Sequence, residues 1–224
     1  MSYTVAIKSI EKITHDVKQF TYEKPDGYSF TPGQATEVAI NKDKWTDEKR
    51  PFTFTSLNED PNLQFTIKIY EDHDGVTDQI GKLKVGDEFI IDDPWGTIEY
   101  KGPGVFLAGG AGVTPFIAIL RQLYKNEELK GNKLIFSNKT AKDVILRGEF
   151  ERMLNEDFIS VLSNEKGTDQ DIFLDGFIDK DFLKEQITDF GQPFYVCGPP
   201  KFIENMMEYL KELGAEPDSL VFEE

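Results

Sequence analysis

Val105-Phe106-Leu107-Ala108-Gly109-Gly110-Ala111-Gly112-Val113-Thr114-Pro115 is the stretch on which the fold of the second half turns. Residues 105–108 form a short, wholly apolar run, as in a strand buried on both faces. Glycines then let the backbone turn sharply, Thr114 can cap a helix, and Pro115 suits a first helical turn. Up to Tyr124, Phe116, Ile119, Leu120 and Leu123 recur at helical spacing, so the stretch reads as a β–α unit. Strands expected at 133–136, 158–162 and 194–197 alternate with helical stretches at 144–154, 179–187 and 201–213. That alternation implies a parallel sheet covered by helices.

Upstream, the texture differs. Residues 3–10, 17–22, 35–40, 52–57 and 63–70 alternate apolar and polar positions in short runs broken by turn residues, the pattern of an antiparallel barrel. One helix is expected at 77–83, where Val76, Ile80 and Leu83 fall at helical spacing. The change of texture after Trp95-Gly96 and Gly102-Pro103-Gly104 puts a domain boundary near 100–103, giving domains 1–101 and 102–224. No internal repeat is visible.

Bulk properties agree with two compact domains: 224 residues, 39% hydrophobic and 12% aromatic, supply enough apolar material for two cores. The apolar runs fall well short of the ~20 residues needed to cross a bilayer. The N-terminus interleaves Thr4, Lys8 and Ser9 with Val5, Ile7 and Ile10 as a strand does, so a cytoplasmic protein is expected. A lone Cys197 leaves no intrachain disulfide, cysteine-ligated cluster or multi-cysteine zinc site, and with only His15 and His73 no metal site is expected. A net charge of -16 argues against nucleic acid and anionic membranes as partners, and otherwise reads as solubility.

Three segments carry candidate chemistry. Gly110, Gly112 and Thr114 sit between a strand and a helix, where backbone N–H groups and the helix N-terminus favour a pyrophosphate. The run is not G-x-G-x-x-G, and a tight structural turn explains it equally well. Cys197-Gly198-Pro199-Pro200 follows another strand, so both turns belong to the carboxyl edge of the sheet, although a lone cysteine is more often a small core residue. Arg50-Pro51-Phe52-Thr53 offers a phosphate clamp, a ring for stacking on a flat cofactor and a hydroxyl for its edge; alternatively, Arg50 merely opens an amphipathic strand. Asp92-Asp93 reads as a solvated turn pair, and His73, in Glu71-Asp72-His73-Asp74, as a loop residue.

Taken together, these segments resemble the ferredoxin–NADP reductase superfamily over essentially the whole chain. The resemblance rests on Phe30-x-Pro32-Gly33-Gln34, Arg50-Pro51-Phe52-Thr53, Gly75-Val76-Thr77, Pro94-Trp95-Gly96 and the two turns of the second half, in that order. It implies a flavin-binding antiparallel β-barrel followed by an α/β nucleotide-binding domain, with FAD as cofactor and NADPH or NADH as electron donor. Arg50 would hold a flavin phosphate beside Pro51, Phe52 would pack on the flavin, and Thr53 would hydrogen-bond near its N5. Gly75, Val76 and Thr77 would complete the phosphate site. Gly110, Gly112 and Thr114 would bind the nicotinamide nucleotide's pyrophosphate, with Cys197, Gly198 and Pro199 flanking its nicotinamide. The family's usual Tyr is Phe52 here, which removes one hydroxyl and its hydrogen bond of about 0.5–1.5 kcal/mol.

Lys139, after the strand at 133–136, could read the 2′-phosphate of NADPH or be a plain surface lysine. Residues 137–149 also resemble a segment of NADH-dependent cytochrome b5 reductases and nitrate reductase flavin domains, so the choice of nucleotide stays open. The leading expectation is a reductase serving a separate ferredoxin, flavodoxin or cytochrome; the chain's acidity counts against very acidic acceptors. The alternatives are a reductase that releases reduced free flavin and a flavin-binding subunit without turnover.

Overall fold

A computed structural model describes residues 1–71, 74–96, 98–165, 173–216 and 220–222. His73, expected to be a loop residue, and its neighbour Asp72 lie outside the described residues. Contacts divide the chain into two compact units, Met1–Glu99 with Thr114–Gln122, and Tyr100–Val113 with Leu123–Glu224.

The first unit contains β1 (Ser2–Lys12), β2 (Val17–Glu23), β3 (Gln34–Ile40), β4 (Arg50–Thr53), β5 (Asn62–Lys68), α1 (Val76–Gly81), β6 (Glu88–Asp92) and β7 (Trp95–Gly96). They form one antiparallel sheet in the order β4-β3-β6-β1-β2-β5, with β7 against β3. Period-two alternation turns Phe20, Tyr22, Phe65 and Phe89 inward, where all four are fully buried. Beyond β4, Phe54 bridges Phe65 of β5, so the two ends of the sheet meet and it curls into a near-barrel. Rings pack at this closure, with Tyr22–Phe65 at 4.7 Å and Phe54–Phe65 at 5.4 Å between centroids. Pro51 lies on β4, at one end of the sheet order, where a missing N–H is tolerated.

One strand differs from expectation. Regular pairing stops at Thr53 rather than continuing to Leu57, because the chain leaves β3 there and crosses to β5. Strand β6 is not among the strands expected from the sequence, although Phe89 and Ile91 point inward between outward Glu88, Ile90 and Asp92.

The second unit contains β8 (Val105–Gly109), β9 (Lys133–Asn138), α3 (Arg147–Leu154), β10 (Phe158–Leu162), β11 (Phe173–Asp175), α4 (Lys180–Gln186), β12 (Phe194–Cys197), α5 (Pro200–Glu212) and β13 (Leu220–Phe222). Between β8 and β9 run a 3-10 turn, Gly110–Val113, and helix α2, Thr114–Lys125, whose first nine residues group with the first unit. The strands are all parallel, in the order β11-β10-β9-β8-β12-β13. Leu183 of α4 and Met206 and Leu210 of α5 join Ile135, Val161 and Val196 in one core cluster. Across the sheet, Phe150 of α3 packs on Phe136 and Phe158 at 6.3 and 5.7 Å. Tyr195 fixes the segment entering this unit: its hydroxyl accepts from the Lys101 N–H (2.8 Å) and donates to the Gly102 carbonyl (2.7 Å), and its ring stacks on Phe106 at 4.4 Å.

The helix expected at 144–154 is shorter. Thr140 and Asp143 form a capping box around a 3-10 turn, Val144 is extended, and Leu146 is left-handed at φ 51° before α3 begins at Arg147. Val144 and Ile145 are buried, so apolar spacing that looks helical is satisfied by an irregular turn. Strands β11 and β13 also lie outside the sequence expectations, because three residues each give too short a run for periodicity.

Candidate functional site

In the first unit, the candidate residues cluster on β4. Register sets Ala35, Thr36, Glu37 and Val38 of β3 opposite Thr53, Phe52, Pro51 and Arg50. Strand alternation puts Phe52 and Phe54 on one face, and Phe52 packs against the barrel core, 6.0 Å from Phe65. Thr53 faces the other way; it is buried, and among the described residues its hydroxyl has no hydrogen-bond partner. Arg50 stands at the exposed start of the strand, its Nη1 donating to the Lys49 carbonyl at 2.6 Å with Glu48 4.0 Å away. Behind it, Lys49 pairs with Asp92 at 2.6 Å, and Asp92 also accepts from the Ser2 hydroxyl. Burial pushes the Asp92 carboxyl up, but Lys49 and Ser2 outweigh it and hold it below the usual range. Asp92-Asp93 is thus a structural corner, and Asp92 fixes the residue before Arg50.

Gly75 is the N-cap of α1 and provides no side chain to its first turn, so no capping side chain occupies the first N–H groups of Val76 and Thr77. Asp78 is buried in that turn and neutralised by Lys82 at 2.6 Å. Both α1 and β4 adjoin β3. Pro32-Gly33-Gln34 supports the same region: the Gln34 carbonyl accepts from the Phe54 N–H (3.1 Å), and Phe30 stacks on Phe54 at 4.3 Å. Trp95-Gly96 is β7, paired with Gln34 and Ala35.

In the second unit, the strand order reverses at β8. The chain winds outward through β9, β10 and β11, then returns to the other side of β8 at β12, so the turns after β8 and β12 are neighbours. In open α/β sheets this reversal point is where ligands bind. The approach is close: a Cβ on Gly112 would lie 2.4 Å from the Cys197 carbonyl oxygen and 2.5 Å from the Gly198 Cα. Only glycine fits there. Gly110 has φ +53°, and a Cβ there would meet open space, so its backbone is reachable from outside. The structure therefore brings Gly110, Gly112, Cys197, Gly198 and Pro199 together; Cys197 is 5% exposed, and Pro199 caps α5. Thr114 is the first residue of α2.

Lys139 is exposed just beyond β9, one strand from β8, and its carbonyl accepts from the Asn164 N–H at 2.8 Å. Two features escaped sequence reading. Phe177 is 71% exposed just past the carboxyl end of β11, a single aromatic in a loop with no pattern to flag it. Arg121 donates to the Thr55 carbonyl and to Gln64 in the first unit, though along the sequence it belongs to the polar stripe of α2.

Residues 4–100 match the oxidoreductase FAD-binding domain model, and residues 106–208 match the oxidoreductase NAD-binding domain model. The chain therefore joins an oxidoreductase FAD-binding domain to an oxidoreductase NAD-binding domain. Proteins similar to it include NADH-cytochrome b5 reductase 2 of Mycosarcoma maydis, 27% identical over 220 residues, covering 88% of this chain and 62% of that protein. NADH-cytochrome b5 reductase 2-A of Vanderwaltozyma polyspora is 29% identical over 245 residues, covering 96% and 81%. The fold matches a ferredoxin NADP+ reductase from Neisseria gonorrhoeae with bound FAD and NADP, at TM-score 0.85, 19% identity, and coverage of 99% and 98%. The chain spans less than two thirds of the length of the first of these relatives, and no described helix is long and apolar enough to cross a membrane.

The residues present fit a flavin in the first unit. Arg50 retains exposed donors, Thr53 holds a hydroxyl without a partner among the described residues, and the first turn of α1 has no side-chain cap. In the second unit, the open backbone at Gly110 fits a nucleotide phosphate.

Proposed function

We propose that the chain takes a hydride from NADPH or NADH onto FAD held by residues 1–101 and passes the electrons to a separate acceptor protein, with residues 102–224 holding the nucleotide. The observation that carries this reading is the backbone contact of the two glycine turns where the strand order reverses, Gly112 against Cys197, in a chain whose first half matches an FAD-binding domain. When bound, FAD supplies the electron-carrying chemistry that amino-acid side chains lack.

The chain's own groups bind and orient. The Arg50 guanidinium and the N–H groups of Gly75, Val76 and Thr77 neutralise and fix the flavin's phosphates, with Pro51 holding the strand entry rigid. Phe52 supplies packing surface, and the Thr53 hydroxyl donates to the flavin's reactive edge. The backbone at Gly110 and Gly112, with Thr114, takes the nicotinamide nucleotide's pyrophosphate, while Cys197, Gly198 and Pro199 border its nicotinamide and keep water from it. Phe177 offers an exposed ring for the adenine end.

Two relatives are named for NADH and cytochrome b5 and one fold neighbour for ferredoxin and NADP, so the acceptor class proposed is a small redox protein such as a cytochrome or ferredoxin. A chain of net charge -16 disfavours a strongly acidic flavodoxin. Lys139 favours NADPH slightly, and a single cysteine suits a reducing cytoplasm. Purified protein should be yellow and release FAD rather than FMN on denaturation. Colourless protein that takes up neither flavin contradicts the reading.

A further inference from the structure

We propose that Arg121 is a positioning residue that holds the flavin-contacting strand in place through the Thr55 carbonyl; this rests on the flavin-site reading above. Strand β4 pairs with β3 only as far as Thr53. The Phe54 N–H then bonds the Gln34 carbonyl at 3.1 Å while Phe54 bridges Phe65, and the Thr55 N–H bonds the Gln64 carbonyl at 2.8 Å. Within two residues of Thr53, the chain has changed partner strand. A carbonyl at such a changeover falls outside both ladders, and Thr55 is fully buried, so water cannot serve it.

Arg121 serves it instead. Its Nη1 lies 2.6 Å from the Thr55 oxygen and 2.9 Å from Gln64 Oε1. The same Gln64 oxygen lies 3.3 Å from the Thr55 hydroxyl, which is 3.1 Å from the Thr66 hydroxyl, and Thr66 accepts from Gln19 Nε2 at 3.2 Å. The Ser56 hydroxyl accepts from the Gln64 N–H at 3.1 Å. Gln19, Thr55, Ser56 and Thr66 are all buried. The network thus joins β2, β5 and the end of β4, and Arg121 is the cation bonded into it. Charge-assisted bonds to a buried carbonyl are short and directional, so they fix the orientation of the Thr55 peptide. The Phe54 N–H bond to Gln34 and the pairing of Thr53 and Phe52 with β3 hold the intervening backbone, so that orientation passes back to Thr53 and Phe52, two and three residues upstream.

The experiment is titration of flavin-free protein with FAD, following bound-flavin visible circular dichroism, for wild type, Arg121→Met and Arg121→Lys. Arg121→Met should weaken FAD binding about tenfold, the loss of one charge-assisted bond, and change the flavin dichroism. Arg121→Lys, which keeps a cation able to reach Thr55, should restore part of both. Tyr195→Phe, in the second unit, is the control: it should lower Tm while leaving FAD binding and dichroism at wild-type values. If Arg121→Met is too unstable to isolate, Thr66→Val cuts the same network more gently and should move both readouts the same way. Wild-type affinity and dichroism in Arg121→Met, or in Thr66→Val where that variant takes its place, overturn the inference, as does an affinity loss that tracks Tm alike in all variants. A wild type that binds no FAD overturns the flavin-site reading and this inference together. If Arg50→Ala weakens binding while Arg121→Met does not, only this inference falls.

Discussion

Arg50 is held lightly, by a neighbouring carbonyl at 2.6 Å and by Glu48 at 4.0 Å, with 53% of its side chain exposed. Such a side chain adds little to folding and is available to an anion. Arg50→Ala should therefore raise the FAD dissociation constant by about tenfold to a hundredfold, the loss of a charge-assisted hydrogen bond, with the unfolding midpoint nearly unchanged. An unaltered dissociation constant would leave Arg50 a surface residue. Tyr22 is the opposite case. Its hydroxyl is buried in the barrel with no hydrogen-bond partner among the described residues, and burial holds its phenol well above the usual range. Tyr22→Phe removes that orphan while keeping the ring on Phe65, and should stabilise the protein by about 1 kcal/mol in denaturant unfolding. A loss of similar size would mean that the hydroxyl is satisfied in solution. Residue roles were unevenly legible. Arg50, Thr53 and Cys197 stand in local motifs; Arg121 does not, because its partners Thr55 and Gln64 lie 66 and 57 positions away.

The turns decide the element scale. Gly112 is confined by the Cys197 carbonyl and the Gly198 backbone, which cannot yield as a flexible side chain would. Gly112→Ala should push the two turns apart, costing about 1–3 kcal/mol as an overpacked contact and raising the Michaelis constant for both nucleotides while FAD content stays normal. A full-stability variant with unchanged constants would show that the turns separate freely. Lys139 tests the next strand along. Lys139→Ala should raise the Michaelis constant for NADPH alone, by about tenfold at low salt and less at high salt, since an exposed charge pair is screened. Equal effects on both nucleotides would assign the lysine to the shared phosphates or to the fold. Elements with a long, clean period, such as β1, β2, α2 and α5, were legible in the sequence. Those shaped by partners were not: β4 ends early because it changes neighbour, and Val144 and Ile145 fill the core from an irregular turn.

For the whole molecule, two textures of sequence accompany two compact units. Contact grouping adds Thr114–Gln122 to the first, which a linear boundary could not anticipate. The order of motifs along the chain was enough to point to an FAD-binding and an NAD-binding oxidoreductase domain, whereas the acceptor was not legible, since a net charge of -16 narrows a partner's chemistry without naming it. The central claim is that one chain holds both a flavin and a nicotinamide nucleotide and moves electrons between them. Anaerobic mixing of the FAD-loaded protein with NADPH, and separately with NADH, while following the flavin's visible absorbance, tests it most directly. The account predicts rapid bleaching with at least one nucleotide and return of the colour when an oxidised cytochrome or ferredoxin is added. Flavin that stays oxidised with both nucleotides would contradict it.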